Sequence, residues 1–192
     1  RPGLEYVAPA KTPSTAVRLI PFEFNTSQTY ILEFGNLYMR VYKDGGQVLT
    51  GSAKVISGVT KADPAVVTSS SHGFSNGDDV YISGIVGMTE LNGRFLRAAS
   101  VTTNTFALTD YAGANINSTA FTTYGSAGTA QKAFELTTPY TAADIFELQY
   151  VQSADVLTVT HPDYAPRDIA RTDHDVWTST EIDFQPDQAF PT

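Results

Sequence analysis

The stretch Thr29–Tyr42, TYILEFGNLYMRVY, decides the fold class. Tyr30, Leu32 and Phe34 fall on alternate positions, with Thr29 and Glu33 between or beside them. A period of two is the signature of a strand, whose successive side chains point to opposite faces. The Gly35-Asn36 pair suits a tight hairpin turn. After it, Leu37, Met39 and Val41 alternate with Tyr38, Arg40 and Tyr42. The stretch therefore reads as two strands and a turn.

The same period recurs outward from this hairpin. Val176, Thr178, Thr180, Ile182 and Phe184 alternate with Trp177, Ser179, Glu181 and Asp183. Val156–Thr160 reads as a buried strand ending at His161-Pro162, because proline cannot donate to a ladder and restricts the residue before it. Tyr164–Pro166 reads as a loop. Short segments of this kind, separated by Gly, Pro, Asn, Asp and Ser, predict an all-β protein. One exception is expected: Thr141-Ala-Ala-Asp144 resembles a capping box and Ile145 and Leu148 follow at helical spacing, which predicts a short helix near 141–148.

Composition removes several function classes. The chain has 192 residues, 42% of them hydrophobic, enough for one sizeable core or two small ones. It contains no cysteine, which excludes disulfides, thiolate metal sites and cysteine nucleophiles. The run Val17–Phe24 is interrupted by Arg18, Pro21 and Glu23, so nothing approaches the roughly 20 apolar residues of a membrane helix, and no membrane partner is expected. The chain opens on Arg1 with neither a basic nor an apolar leader behind it, and is expected to be a fragment or processed product. Its net charge of -8 is uneven: residues 1–61 carry seven Lys/Arg and four Asp/Glu, residues 62–131 two and five, residues 132–192 three and eleven. Such an acidic third repels a phosphate backbone, so no sequence-specific nucleic-acid binding is expected.

The middle of the chain differs in texture from its ends. Residues 59–131 are rich in Gly, Ser, Thr, Ala and Asn, whereas the flanks carry more Pro, Tyr, Phe and charge. The expected organisation is a discontinuous β-rich host domain, 1–58 with 132–192, and an inserted small β-barrel-like module, 59–131. In the module, HGFSNGDDVYISG (72–84), GMTELNGRF (87–95) and TNTFALTD (103–110) place Gly73, Gly77 and Gly93 after His or Asn at turns. Val80 and Ile82 form a buried strand face. The order HGF, GD, V, GM, LNG, TF and D resembles the FCCH half-barrel of the ubiquitin-activating enzyme. That resemblance implies a small β fold and not the enzyme's chemistry, which needs an adenylate-binding domain and a thioester cysteine.

The flanks carry a second resemblance. RPGLEYVA, VRLIPFEFNTSQTYILEFGNLYMRVYKDGGQV and TPYTAADIFELQYVQSADVLTVTHPDYAPRDIARTDHDVWTSTEIDF look like phage and prophage tail proteins. The resemblance implies a subunit of the tail hub or nozzle of a short-tailed phage, acting in virion assembly and DNA passage. It implies partners too: other copies in a ring and other tail proteins. The expected location is the virion, assembled in the host cytoplasm. The alternative is a binding module in which the inserted barrel recognises a host-surface glycan or another tail protein.

Enzyme chemistry finds little footing. His72, His161 and His174 are dispersed; Asp173-His174-Asp175 offers imidazole and carboxylate, but no HExxH spacing accompanies it. Ser69–Ser71 lie in a turn-like run without a GxSxG elbow. Asp78-Asp79 are adjacent and so point to opposite faces. No phosphate-binding glycine loop is present. No catalytic, cofactor-binding or metal residue is expected, and no cofactor. Tyr6, Tyr38, Tyr42, Tyr111, Tyr124 and Trp177 remain as a candidate stacking or contact surface, with sheet packing the competing assignment for Trp177.

Overall fold

The computed structural model describes residues 7–25 and 28–184, and over these the chain is all-β. The strands run β1 (Arg18–Asn25), β2 (Gln28–Gly35), β3 (Tyr38–Lys43), β4 (Gly46–Gln47), β5 (Leu49–Val55), β6 (Gly58–Val59), β7 (Val66–Thr68) and β8 (Asp79–Ser83). A 3-10 turn at Thr89–Leu91 leads into β9 (Arg94–Ala99), β10 (Thr105–Thr109), β11 (Thr129–Ala133) and β12 (Leu136–Thr137). The last four are β13 (Gln149–Ser153), β14 (Val156–His161), β15 (Tyr164–Asp173) and β16 (Val176–Glu181). The chain divides into two compact units, Arg1–Ala16 with Val41–Phe134 and Val17–Arg40 with Glu135–Thr192.

The first unit is built on one seven-stranded sheet in the order β5-β11-β8-β9-β10-β7-β6. Its two ends, β5 and β6, are consecutive in the chain, joined only by Ile56 and Ser57, so the sheet curls back on itself as a small barrel. Alternation dictates which side chains fill it. Val80 and Ile82 of β8 stand opposite Leu96 and Arg94 of β9, and Ala130 of β11 stands opposite Ile82. Val80, Ile82, Leu96, Phe106 and Leu108 are buried, each contributing about 1.5–3 kcal/mol for a large apolar side chain. Gly73, Gly77 and Gly93 all have positive φ, as their turn positions require. The sheet reaches beyond 59–131: β5 pairs with β11 from Val55 opposite Thr129 to Leu49 opposite Ala133.

The second unit holds β1 and β2, paired with Ile20 opposite Leu32 and Phe22 opposite Tyr30, and the first half of β3 with β12. Its other sheet is the antiparallel meander β13-β14-β15-β16. Ile20, Phe22, Tyr30, Leu32 and Phe34 are buried on one side and Leu157, Val159 and Ile169 on the other. Trp177 joins the two sets, edge-on to Phe22 at 4.9 Å and to Tyr30 at 5.6 Å between ring centroids. This is sheet-on-sheet packing, with aromatic rings in the geometry they prefer. Two strand edges are also stitched by one side chain. The Gln152 amide donates to the Glu23 carbonyl (2.8 Å) and accepts from the Glu23 N–H (3.0 Å), standing in for a ladder pair between β13 and β1.

Three sequence expectations change locally, and one that was open is decided. The turn after β2 sits at Asn36-Leu37, and Leu37 takes the positive φ. On β16, where the alternation alone assigned no side, Trp177 is the buried member and Val176 is exposed. Residues 141–148 form successive turns and no helix. There the Asp144 carboxylate does accept from the Thr141 N–H and hydroxyl, but Arg18 donates to the carbonyls of Ile145 (2.9 Å), Phe146 (3.2 Å) and Leu148 (2.7 Å). The amides that a helix would bring to such carbonyls belong to β13, which pairs with β14. Tyr164–Pro166 is strand, with Pro166 placed where the β14–β15 register shifts and no ladder donor is needed.

Candidate functional site

Each histidine has its Nδ1 engaged in local structure. The Phe74 N–H donates to His72 Nδ1 (3.0 Å), and the Asp163 N–H donates to His161 Nδ1 (3.0 Å). The two form the same ring-to-backbone bridge two residues downstream, in HGF and HPD. An accepting Nδ1 leaves the proton of the neutral ring on Nε2. His72 is buried, stacked on Phe74 and edge-on to Phe106. His161 is buried with Nε2 3.9 Å from Glu147 Oε2, at the floor of a shallow groove of 530 Å³ that Thr160 and Pro162 also line. His174 lies on the β15–β16 turn, its Nδ1 2.5 Å from the Tyr30 hydroxyl and its carbonyl accepting from Trp177 Nε1.

The carboxylates beside these rings are similarly engaged. Asp173 accepts from the His174 N–H. Asp144 is held below the usual carboxylate range, first by the Tyr164 O–H and then by the Thr141 hydroxyl and N–H. In return the Tyr164 phenol is raised, and burial raises Tyr140. Asp78, just before β8, and Asp79, its first residue, point to different partners: Asp78 to Lys132 Nζ (2.6 Å) and Asp79 to Arg97 Nε (3.3 Å). Among the described residues no group of three His, Asp or Glu converges on a metal-sized site. The Ser69 and Ser71 amides are held by Asn104 through its carbonyl and side-chain oxygen.

The candidate aromatic surface does not form. Tyr38, Tyr111 and Trp177 are buried, and the Tyr124 hydroxyl donates to the carbonyls of Ile56 and Ala127 at a barrel seam. Tyr42 is half-buried. Tyr6, like the RPG motif, lies outside the described residues. Among the described residues, Phe146, Tyr150 and Phe184 are exposed aromatics that the candidate surface did not include.

Arg97 makes three contacts that sequence reasoning did not foresee. Its Nε donates to Asp79 Oδ1, its Nη2 to the Lys11 carbonyl (2.9 Å), and its guanidinium lies 5.0 Å from the Tyr111 ring centroid. Beside it runs a groove of 410 Å³. Val7, Pro9 and Pro13 form one wall; β9 and the loop Asp110–Ala112 form the other. That loop is fixed by Asp110 Oδ1, which accepts from the N–H groups of Ala112 (2.9 Å) and Ala114 (2.8 Å).

Within this barrel the turn glycines, the β8 face and the Phe106 core stand together in one sheet. Residues 63–133 match the family model of the ubiquitin-activating enzyme E1 FCCH domain. The match lies inside the first unit and spans less than half of the chain, so the FCCH-like module is a part and the flanks are outside it. No curated protein matches the chain.

Proposed function

We propose that the chain is a structural component of a phage tail, a fragment of a hub- or nozzle-type subunit that acts in virion assembly and DNA passage. Its partners are other copies of itself in a ring and other tail proteins, and its location is the virion. The observation that carries a structural over an enzymatic role is the engagement of the polar side chains. All three histidines use Nδ1 to fix a turn or a neighbouring tyrosine, and Asp78, Asp79 and Asp144 each hold separate pieces of backbone or sheet. The resemblance of the flanks supplies the tail, and the acidic C-terminal third suits a surface past which DNA must slide.

A second reading, recognition of a host-surface glycan or another tail protein by the inserted barrel, is favoured by the open groove beside β9. Deleting residues 62–130 from the parent protein separates the two. Unstable particles with unchanged adsorption support the structural role; intact particles that no longer adsorb overturn it in favour of recognition.

A further inference from the structure

His161, the last residue of β14, is held by contacts that depend on its protonation. Its buried ring packs against Tyr140 and Tyr164, at 6.5 Å and 5.0 Å between centroids. The hairpin turn Pro162-Asp163 leads from it into β15, and the Asp163 N–H donates to His161 Nδ1 (3.0 Å). That bond exists only while Nδ1 carries no proton. Across the ring, Nε2 makes no hydrogen bond and stands 3.9 Å from Glu147 Oε2. A second proton therefore turns Nδ1 from an acceptor into a donor facing another donor, and gives Nε2 a charge to share with Glu147.

The groups around the ring oppose one another. Glu147 and Asp144 face it from the 141–148 turns, and Asp144 is kept ionised by its bonds from Tyr164 and Thr141. Asp163, in the turn itself, is a third carboxylate, close enough to act on the Tyr164 phenol. The phenols of Tyr140 and Tyr164 are neutral, and the cation of β15 on this side is Arg167, which acts on Tyr140. Burial and the Asp163 N–H favour the neutral ring, whereas the carboxylates favour the charged one. His72 makes the same bridge to Phe74, but its ring lies against Phe74 and Phe106.

We propose that His161 is a proton-operated latch: neutral, it closes the β14–β15 turn through the Asp163 N–H; protonated, it releases that N–H and draws the exposed Glu147 carboxylate toward the groove floor. Acid thereby loosens the turn and narrows the 530 Å³ groove that Glu147, Gln149, Thr160 and Pro162 line. All these groups belong to the second unit, and the inference stands apart from the tail assignment.

The test is an NMR titration of the full, isotope-labelled chain from about pH 8 to about pH 5, the range in which histidine ordinarily changes charge. The ring signals of His161 and the amide signal of Asp163 are expected to move together with one midpoint. Glu147→Gln removes the counter-charge and is expected to lower that midpoint by about half a pH unit. His161→Asn keeps an acceptor for the Asp163 N–H without a titrating ring, and is expected to hold the amide signal constant over the same range. A ring that titrates while the Asp163 amide stays put overturns the proposal, as does a midpoint that Glu147→Gln leaves in place. A ring that takes up no proton before the unit unfolds overturns it too. Should His161→Asn fail to fold, the other readings decide without it, because Glu147 is exposed and its replacement by glutamine disturbs no packing.

Discussion

Gly87 and Gly93 both sit at positive φ, +96° and +76°, yet alanine should be tolerated at one and not at the other. A Cβ on Gly93 meets nothing within 4 Å, so Gly93→Ala carries only the left-handed backbone cost of about 1–2 kcal/mol. A Cβ on Gly87 would lie 2.3 Å from the Thr123 carbonyl oxygen and 2.7 Å from the Gly125 nitrogen. The Gly125 nitrogen is not free to retreat. The Gly125 N–H donates to the Val86 carbonyl (2.9 Å), Ser126 donates to the same oxygen (3.2 Å), and the Val86 N–H donates to the Ser126 carbonyl (2.9 Å). Opening those three bonds costs about 0.5–1.5 kcal/mol each. Gly87→Ala should therefore lose about 2.5–6.5 kcal/mol in all, adding the left-handed cost. For a domain of this size each kcal/mol lowers the melting temperature by roughly 4–8 °C. The assay is urea unfolding by far-ultraviolet circular dichroism with hydrogen exchange at the β8 and β11 amides, since the lone tryptophan, Trp177, lies in the other unit. Equal losses for the two variants would refute the close approach of Val86-Gly87 to Thr123–Ser126.

Other consequences are open to measurement. Trp177→Ala should cost about 3–5 kcal/mol by emptying the space between Phe22 and Tyr30, measured by urea unfolding followed at tyrosine signals of the second unit. Asp144→Asn should lower the melting temperature at neutral pH. Because the folded carboxyl titrates below its unfolded value, its contribution is present above the unfolded pKa and fades as pH falls through the folded one; the gap between variant and wild type should close in acid, and a gap constant with pH contradicts the assignment. Gln152→Ala should speed hydrogen exchange at the Glu23 amide, which its side-chain oxygen accepts, while leaving the β13–β14 ladder protected.

Strand periodicity was legible wherever burial follows one face. Tyr30, Leu32 and Phe34 announced their side correctly, and so did Val80 and Ile82. It failed where distant partners decide. On β16 the alternation assigned no side, and the packing of Trp177 against Phe22 and Tyr30 decides it. At 141–148 the capping contact of Thr141 and Asp144 was readable from four adjacent letters, but Arg18, more than 120 positions away, claimed the carbonyls a helix would have needed. The contact of Arg97 with the Lys11 carbonyl spans 86 positions and involves backbone on one side, so no pattern of side chains foretells it. Buried tyrosines misled for a related reason: Tyr38 and Tyr111 carry a hydroxyl that looks suited to the surface, and their rings are packed beneath arginine guanidiniums instead.

Quantitative mass spectrometry of gradient-purified particles from a producing strain tests the central proposal most directly. Peptides spanning both units should be present in the particles at a fixed, ring-sized copy number per portal protein. Their absence from particles, with the parent protein left monomeric in the lysate, would contradict a structural role in the tail.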